Sequence, residues 1–289
     1  EFVGYHEDIR RGEKATSWEV PNFFKLDDSW VAVFEPYGPT YYSTGSFDIE
    51  TCHYEPKVDE FMDYSGISKF DFEKESFIDM DSHLVGCTSM EDPAGRWIHW
   101  GLVTGWDPAR IGPYLMEDRG WNGCMTLPRL LKMRPDGRLS QNPIPELAQL
   151  RGEQYSARDI ELSSASYLPR GAGGDAIEIL VEFEPGDAKT FGLKVRRSDD
   201  GKRSVLIQWD GRLLHLDDHQ GPEGLLEGEN TLRLHIFLDK CVMEVFANDW
   251  VCFTNVIYPP EEDLGIELFA TGGSATVKSL DIWKLSSIW

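Results

Sequence analysis

One glutamate stands in a setting that suits acid/base chemistry. The stretch S-W-E-V-P-N-F-F (17–24) places Glu19 between Trp18 and a Val-Pro step, directly before an apolar segment. A carboxylate held among aromatic and aliphatic groups is desolvated, which favours its neutral form and raises its pKa. A carboxylic acid that stays protonated near neutral pH can protonate a leaving oxygen as a general acid. The alternative is a loop glutamate that pairs with Lys14 or Lys25.

A second dense stretch, R-G-W-N-G-C-M-T-L-P-R (119–129), has residues that suit a sugar. Its glycines allow a close approach of the backbone, and Trp121 offers a flat apolar face that matches the C–H surface of a sugar ring. Arg129 could hold a carboxylate with two parallel hydrogen bonds. A buried turn with a structural arginine is an equally good interpretation of this stretch.

Acidic and histidine-containing segments give weaker signals. Residues 71–83 carry five acids and could line a pocket, although a solvated acidic loop is the favoured interpretation. The end of this segment is only loosely similar to a calcium loop, since the glycine and the terminal glutamate are missing. His215 and His219 stand four residues apart across a predicted strand end rather than on a helix. We therefore predict no metal site and no cofactor.

The charge balance excludes several classes of partner. The 289 residues include 50 acidic and 28 basic side chains, a formal net charge of −22. Such a surface repels nucleic acid and anionic membranes. Apolar stretches are only a handful of residues long, so no transmembrane helix is predicted.

Compartment is left open by the sequence. No charged-then-apolar leader is visible after Glu1, which predicts that the sequence as given carries no signal peptide. Five widely spaced cysteines, an odd number, are predicted to be reduced and to pack as small apolar groups. Secretion and a cytoplasmic location both remain open.

The pattern of the second half of the chain predicts short strands in which apolar and polar residues alternate. In A-I-E-I-L-V-E-F-E (176–184) four apolar side chains share one face, and Glu178 falls on the opposite, solvated face. T-L-R-L-H-I-F-L-D (231–239) repeats the pattern and is followed by a predicted hairpin. Many such strands separated by turn residues predict a β-sandwich over 155–289.

The first half is also rich in strands but is more aromatic and less regular. Short strands bounded by aromatic residues, with long loops between them, fit a propeller or a barrel better than a sandwich. We assign residues 1–140 to this domain. A stretch rich in proline, glycine and polar residues follows, and we predict a linker over 141–154 with one helical turn around 146–150.

Taken in order, four segments resemble glycoside hydrolase family 32, the invertase, levanase and inulinase family. W-E-V-P-N-F-F-K-L (18–26) is similar to the family's Trp-Glu-Cys-Pro motif. G-R-W-I-H-W-G-L-V-T-G-W (95–106) and G-W-N-G-C-M-T-L-P-R-L-L (120–131) are similar to two further family segments. Residues 232–249 together with 268–285 resemble the end of the family's β-sandwich.

The resemblance implies an all-β fold, with part of a five-bladed β-propeller followed by a C-terminal β-sandwich. It also implies cleavage of β-fructosyl linkages in sucrose or fructans with retention, by two carboxyl groups roughly 5 Å apart. Glu19 inherits the acid/base role. The substrate-binding positions that we take from the resemblance and from the side chains are Trp18, Phe77, Asp79, Trp121 and Arg129.

Two departures from the family pattern bear on activity. Val20 replaces the family's cysteine after the catalytic glutamate, which changes packing but leaves the acid in place. The nucleophile motif W-M-N-D-P-N-G and the fructose-binding R-D-P motif occur nowhere in the 289 residues. The chain thus resembles the C-terminal portion of the family, without its first blades. We expect it to pair with a second chain that carries them, or to self-associate.

Three functions remain compatible with these observations. The first is part of a β-fructosidase, which on its own is inactive. The second is a non-catalytic carbohydrate-binding protein of the same fold, and the third is a fructosyltransferase. The sequence does not separate hydrolase from transferase, because the same covalent intermediate serves both.

Overall fold

The computed structural model describes residues 19–35, 40–65, 84–103 and 123–288. Its chain groups into two compact units, residues 1–144 (unit 1) and 145–289 (unit 2). Within the described residues, no helix is long and apolar enough to cross a membrane.

The described residues of unit 1 form two antiparallel sheets. The first has the order β1-β2-β3-β4, so β1 is an edge strand. The second has the order β5-β6-β8-β9, with β7 paired to β6 and β5 at an edge. The strands are Glu19–Leu26 (β1), Ser29–Glu35 (β2), Tyr41–Asp48 (β3), His53–Phe61 (β4), Leu84–Glu91 (β5), Trp97–Val103 (β6), Cys124–Met125 (β7), Arg129–Met133 (β8) and Leu139–Pro143 (β9).

The first sheet of unit 1 carries an apolar cluster on each of its faces. One face packs against the second sheet through a cluster that includes Phe24 and Val33 from the first sheet and Leu84 and Leu131 from the second. On the other face a largely aromatic cluster forms around Phe34, Tyr41 and Tyr54. Apolar side chains therefore occur on both faces of this sheet, while β1 and β4 also expose side chains such as Phe23 and Lys25.

Unit 2 also consists of two antiparallel sheets. Their orders are β10-β20-β11-β16-β17-β18 and β15-β14-β13-β12-β19. The strands are Arg151–Leu162 (β10), Ala176–Glu184 (β11), Thr190–Arg197 (β12), Val205–Trp209 (β13), Leu214–Leu216 (β14), His219–Gln220 (β15), Leu232–Asp239 (β16), Val242–Ala247 (β17), Val251–Val256 (β18), Gly265–Thr271 (β19) and Ala275–Leu285 (β20).

The apolar alternation of the sequence builds the core of unit 2. The side chains of Ile177, Ile179 and Phe183 on β11 are fully buried. Phe183 contacts Phe191 of the other sheet, with ring centroids 5.4 Å apart. The predicted hairpin is confirmed, because β16 and β17 pair antiparallel from Leu234 opposite Ala247 onward.

One prediction for unit 2 is wrong. The alternating pattern assigned Glu178 to a solvated face, yet only 1 % of its surface is exposed. Arg151 donates to both carboxylate oxygens at 2.7 and 2.6 Å, and His235 Nε2 lies 2.6 Å from Oε1. Burial raises the pKa of Glu178, but the hydrogen bonds from Arg151 and His235 outweigh it and lower the pKa to about 2.

Residues 141–154, the predicted linker, are regularly structured. They carry the end of β9, a 3₁₀ turn at Pro145–Leu150 and the start of β10. The predicted helical turn is thus confirmed, while the division into domains at these residues stays a prediction. None of the five cysteines, all of which lie within the described residues, forms a disulfide.

Candidate active site

Glu19 is the first residue of β1, at the edge of the first sheet. The strand alternates, so that Phe24 and Leu26 are buried while Phe23 and Lys25 face outward. Its pairing with β2 is regular from Asn22 to Leu26 and shifts between Glu19 and Asn22, where Val20 and Pro21 form a bulge. Bulges of this kind re-aim a side chain at the end of a strand. Glu19 is therefore the residue whose direction the bulge sets.

The Glu19 side chain is exposed in the structure. The sequence predicts instead a carboxylate desolvated by its neighbours. One of those neighbours, Val20, is itself 43 % exposed, and the other, Trp18, lies outside the described residues. Exposure leaves the carboxyl accessible to a substrate and to water.

A second glutamate lies opposite Glu19 and was missed by sequence reasoning. Glu35 at the end of β2 is the register partner of Glu19, and it is buried. Its Oε1 accepts hydrogen bonds from the Thr40 hydroxyl at 3.1 Å and from the backbone N–H of Cys87 at 3.0 Å. Burial, and then the charge of Glu35, raise the pKa of the Cys87 thiol, so that cysteine stays protonated.

Arg129, the first residue of β8, has no exposed surface. Its Nη1 lies 3.6 Å from Asp63 Oδ2 and donates to Gln141 Oε1 at 3.3 Å. Gln141 in turn donates to the carbonyl of Met62 at 2.8 Å. The guanidinium thus holds a carboxylate of this chain, Asp63. A role of Arg129 toward a substrate stays a prediction.

A buried histidine lies beside Arg129. His99 on β6 is the register partner of Arg129 on β8, and its Nδ1 lies 2.9 Å from the Ser89 hydroxyl. Its Nε2 makes no hydrogen bond in the part of the chain that the structure describes. Burial, and then the positive charge of Arg129, lower the pKa of His99 to about 3, so the ring is neutral near pH 7.

Four of the six predicted site residues lie outside the described residues. These are Trp18, Phe77, Asp79 and Trp121. Glu19 and Arg129 both lie in unit 1. The charges of Arg129 and of Glu35, the register partner of Glu19, both act on the pKa of the Cys87 thiol.

The described residues contain no group of three histidine, cysteine, aspartate or glutamate side chains that could hold a metal ion. Each of the two histidines His215 and His219 lies near an aspartate. His215 lies 2.7 Å from Asp210, and His219 lies 3.6 Å from Asp218.

Two family models match the chain and together span nearly all of it. The model of the glycosyl hydrolases family 32 N-terminal domain matches residues 4–143. The model of the glycosyl hydrolases family 32 C terminal matches residues 146–284.

Two curated relatives match this chain over two thirds or more of its length. A levanase of Bacillus subtilis (strain 168) is 31 % identical over 68 % of this chain and 32 % of its own length. A sucrose-6-phosphate hydrolase of Escherichia coli is 27 % identical over 93 % of this chain and 55 % of its own length. The chain thus spans from about a third to just over half of the length of these relatives.

Solved structures of the same architecture superimpose on the chain. The fructan 1-exohydrolase IIa of Cichorium intybus matches with a TM-score of 0.77 and 18 % identity, over 93 % of this chain and 62 % of that one. The likeness shows the fold: an all-β chain with part of a β-propeller and a β-sandwich, as predicted. The sheets of the described residues do not close.

Proposed function

The chain belongs to glycoside hydrolase family 32, and on this basis we propose that it carries the acid/base half of a retaining β-fructosidase. The observation that supports the proposal is the position of Glu19, an exposed carboxyl at the bulged start of an edge strand, within the W-E-V-P segment. The substrate class that we propose is sucrose or a fructan, as the names of its relatives suggest.

In the proposed reaction Glu19 acts twice. It first gives its proton to the glycosidic oxygen as the bond between that oxygen and the anomeric carbon of fructose breaks. An aspartate nucleophile forms a bond to the same carbon, and the two carboxyl groups must lie about 5 Å apart. Glu19 then takes a proton from water, which attacks the anomeric carbon and releases the aspartate.

The nucleophile is not supplied by these 289 residues. In the family it lies in a W-M-N-D-P-N-G motif, and this sequence contains no such motif. We therefore propose that catalysis needs residues beyond the 289, whether on the same polypeptide or on a partner chain. Arg129, Trp18, Phe77, Asp79 and Trp121 remain our proposed substrate-binding residues.

The test is Glu19→Gln in the protein expressed from its complete gene. The amide keeps the size of the side chain but cannot give or take the proton, so we expect kcat on sucrose or levan to fall roughly 10²- to 10⁴-fold. With an aryl fructoside, whose leaving group needs little protonation, the first step should lose far less.

A matched control separates the loss of the acid/base group from the loss of one negative charge. Glu50→Gln removes one exposed carboxylate from unit 1 and should leave kcat unchanged. If Glu19→Gln keeps at least half of the original kcat, the acid/base role is wrong. Binding of levan without any hydrolysis, equal for both variants and the original protein, would instead favour a non-catalytic carbohydrate-binding protein.

A further inference from the structure

Two irregular points face each other on neighbouring edge strands of unit 1. On β1, Val20 has a φ of +47°, in the left-handed region that β-branched residues avoid. Val20 also precedes a proline, which restricts its backbone further. On β5, pairing with β6 shifts between Val85 and Thr88, at Gly86 and Cys87.

A backbone in such a conformation needs support from its surroundings. Residues held in sparsely populated regions cost of order 1–3 kcal/mol each and persist only where other contacts hold them. Pro21 cannot help, because it has no N–H to donate. The support for Val20 must therefore come from side chains or from a neighbouring strand.

The side-chain amide of Asn22 supplies this support through three hydrogen bonds. Its Nδ2 donates to the carbonyl of Val20 at 2.8 Å and to the carbonyl of Cys87 at 2.9 Å. Its Oδ1 accepts from the backbone N–H of Ser89 at 2.8 Å. Both amide protons and the oxygen are used, and this pattern fixes which way the amide faces.

Side-chain hydrogen bonds also satisfy the backbone groups of Cys87 at the bulge in β5. The Cys87 carbonyl is satisfied by Asn22 and the Cys87 N–H by Glu35, so side chains of the first sheet replace the ladder partner that the bulge removes. Asn22 thereby ties the edge strand β1 to the edge strand β5. One end of this tie is the carbonyl of Val20, one residue after Glu19.

We propose that Asn22 is a positioning residue that holds Glu19 in the direction needed for proton transfer. It acts through Val20, whose carbonyl accepts a hydrogen bond from it, and it does not itself contact the substrate. This inference rests on the proposed function of Glu19. A displacement of about 1 Å at a catalytic group can cost about 10²-fold in rate, so loss of the tie should appear in kcat rather than in KM.

The test uses three variants of the protein expressed from its complete gene. Asn22→Ala removes all three bonds, and Asn22→Asp keeps the acceptor for Ser89 while placing a carboxylate against two carbonyls. We expect kcat to fall about 10- to 100-fold in both, with KM within about 3-fold. Asn142→Ala removes a partly buried amide that, within the described residues, donates to the Ser140 hydroxyl of β9, and it should leave kcat unchanged.

Two further readouts identify the route of the effect. Asn22→Ala on a Glu19→Gln background should cause no additional loss of kcat, since the residue acts through Glu19. Hydrogen exchange at the Ser89 amide should accelerate at least 10-fold in Asn22→Ala and not in Asn142→Ala, which tests the tie without any activity measurement.

The outcomes separate the two proposals. An unchanged kcat in Asn22→Ala beside an inactive Glu19→Gln overturns the role of Asn22 and leaves the proposed function standing. A further loss in the double variant also overturns it, because Asn22 would then act independently of Glu19. A fully active Glu19→Gln overturns the proposed function, and with it the role assigned to Asn22.

Discussion

The ring of His99 lies inside unit 1 with no exposed surface, between the Ser89 hydroxyl and Arg129. Its pKa falls from 6.5 in an exposed chain to about 3 in the fold. Between about pH 3 and pH 6.5 the imidazole of His99 binds a proton in the unfolded chain but not in the folded chain. Stability is therefore lost as the pH falls below 6.5, with a slope of about 1.4 kcal/mol per pH unit.

His99→Gln should flatten this slope. Between pH 7.5 and pH 5.5 we expect the original protein to lose about 1 kcal/mol more of its free energy of unfolding than the variant does, because only the original chain has this titrating ring. Urea unfolding at the two pH values measures the difference. Ile98→Val, a small change to a buried neighbour on the same strand, should lower stability equally at both pH values. Equal slopes for His99→Gln and the original protein would contradict the prediction.

At the scale of single residues, the sequence identifies Glu19 as a candidate for acid/base chemistry but does not identify the residues that surround its strand. Glu19 stands out because its flanking residues form a compact motif. Glu35 and Asn22 do not, since their importance depends on a contact with Cys87, 52 and 65 residues away along the chain. No local pattern reports a hydrogen bond across that separation.

Among the elements, the strands of unit 2 are the ones that periodicity predicts well. The strands predicted at 176–184 and 231–239 coincide with β11 and, to within one residue, with β16, since one apolar face per strand determines both spacing and register. In unit 1 the aromatic residues indicate strands, but the bulges at Val20 and at Cys87 do not follow from alternation. Glu178 shows the same limit in unit 2, because its burial depends on partners from β10 and β16.

The hydrogen bonds around Glu178 predict that the stability of the fold decreases in acid. Its pKa is about 2 in the fold against an ordinary value of 4.5. Stability from its charged form is thus present above pH 4.5 and is lost as the pH falls toward 2. Glu178→Gln should lower stability at pH 7 by about 2 kcal/mol, because it weakens the hydrogen bonds with Arg151 and His235.

The same variant should narrow the gap in melting temperature between pH 7 and pH 3. Thermal unfolding at both pH values measures it. Glu182→Gln is the matched control, since Glu182 lies four residues further along β11 on the same face and is only partly buried. A Glu178→Gln protein as stable as the original at pH 7 would contradict the importance of this buried pair.

For the whole molecule, family membership explains the architecture and leaves the activity to be tested. The two family models cover residues 4–143 and 146–284, while the chain spans only part of the length of its relatives. Pairing with a second chain and self-association both stay predictions. The net charge of −22 predicts that strongly acidic polymers are poor partners and leaves neutral sugars as suitable ones.

The last prediction concerns the 289 residues on their own. A retaining mechanism needs a nucleophile about 5 Å from the acid/base group, and the motif that carries it in the family does not occur in this sequence. Without it no fructosyl-enzyme can form, so the purified 289-residue chain should release no fructose from sucrose or levan. The protein from the complete gene, assayed in parallel, should release it. Turnover by the 289-residue chain that Glu19→Gln abolishes would show that another carboxylate within these residues acts as the nucleophile.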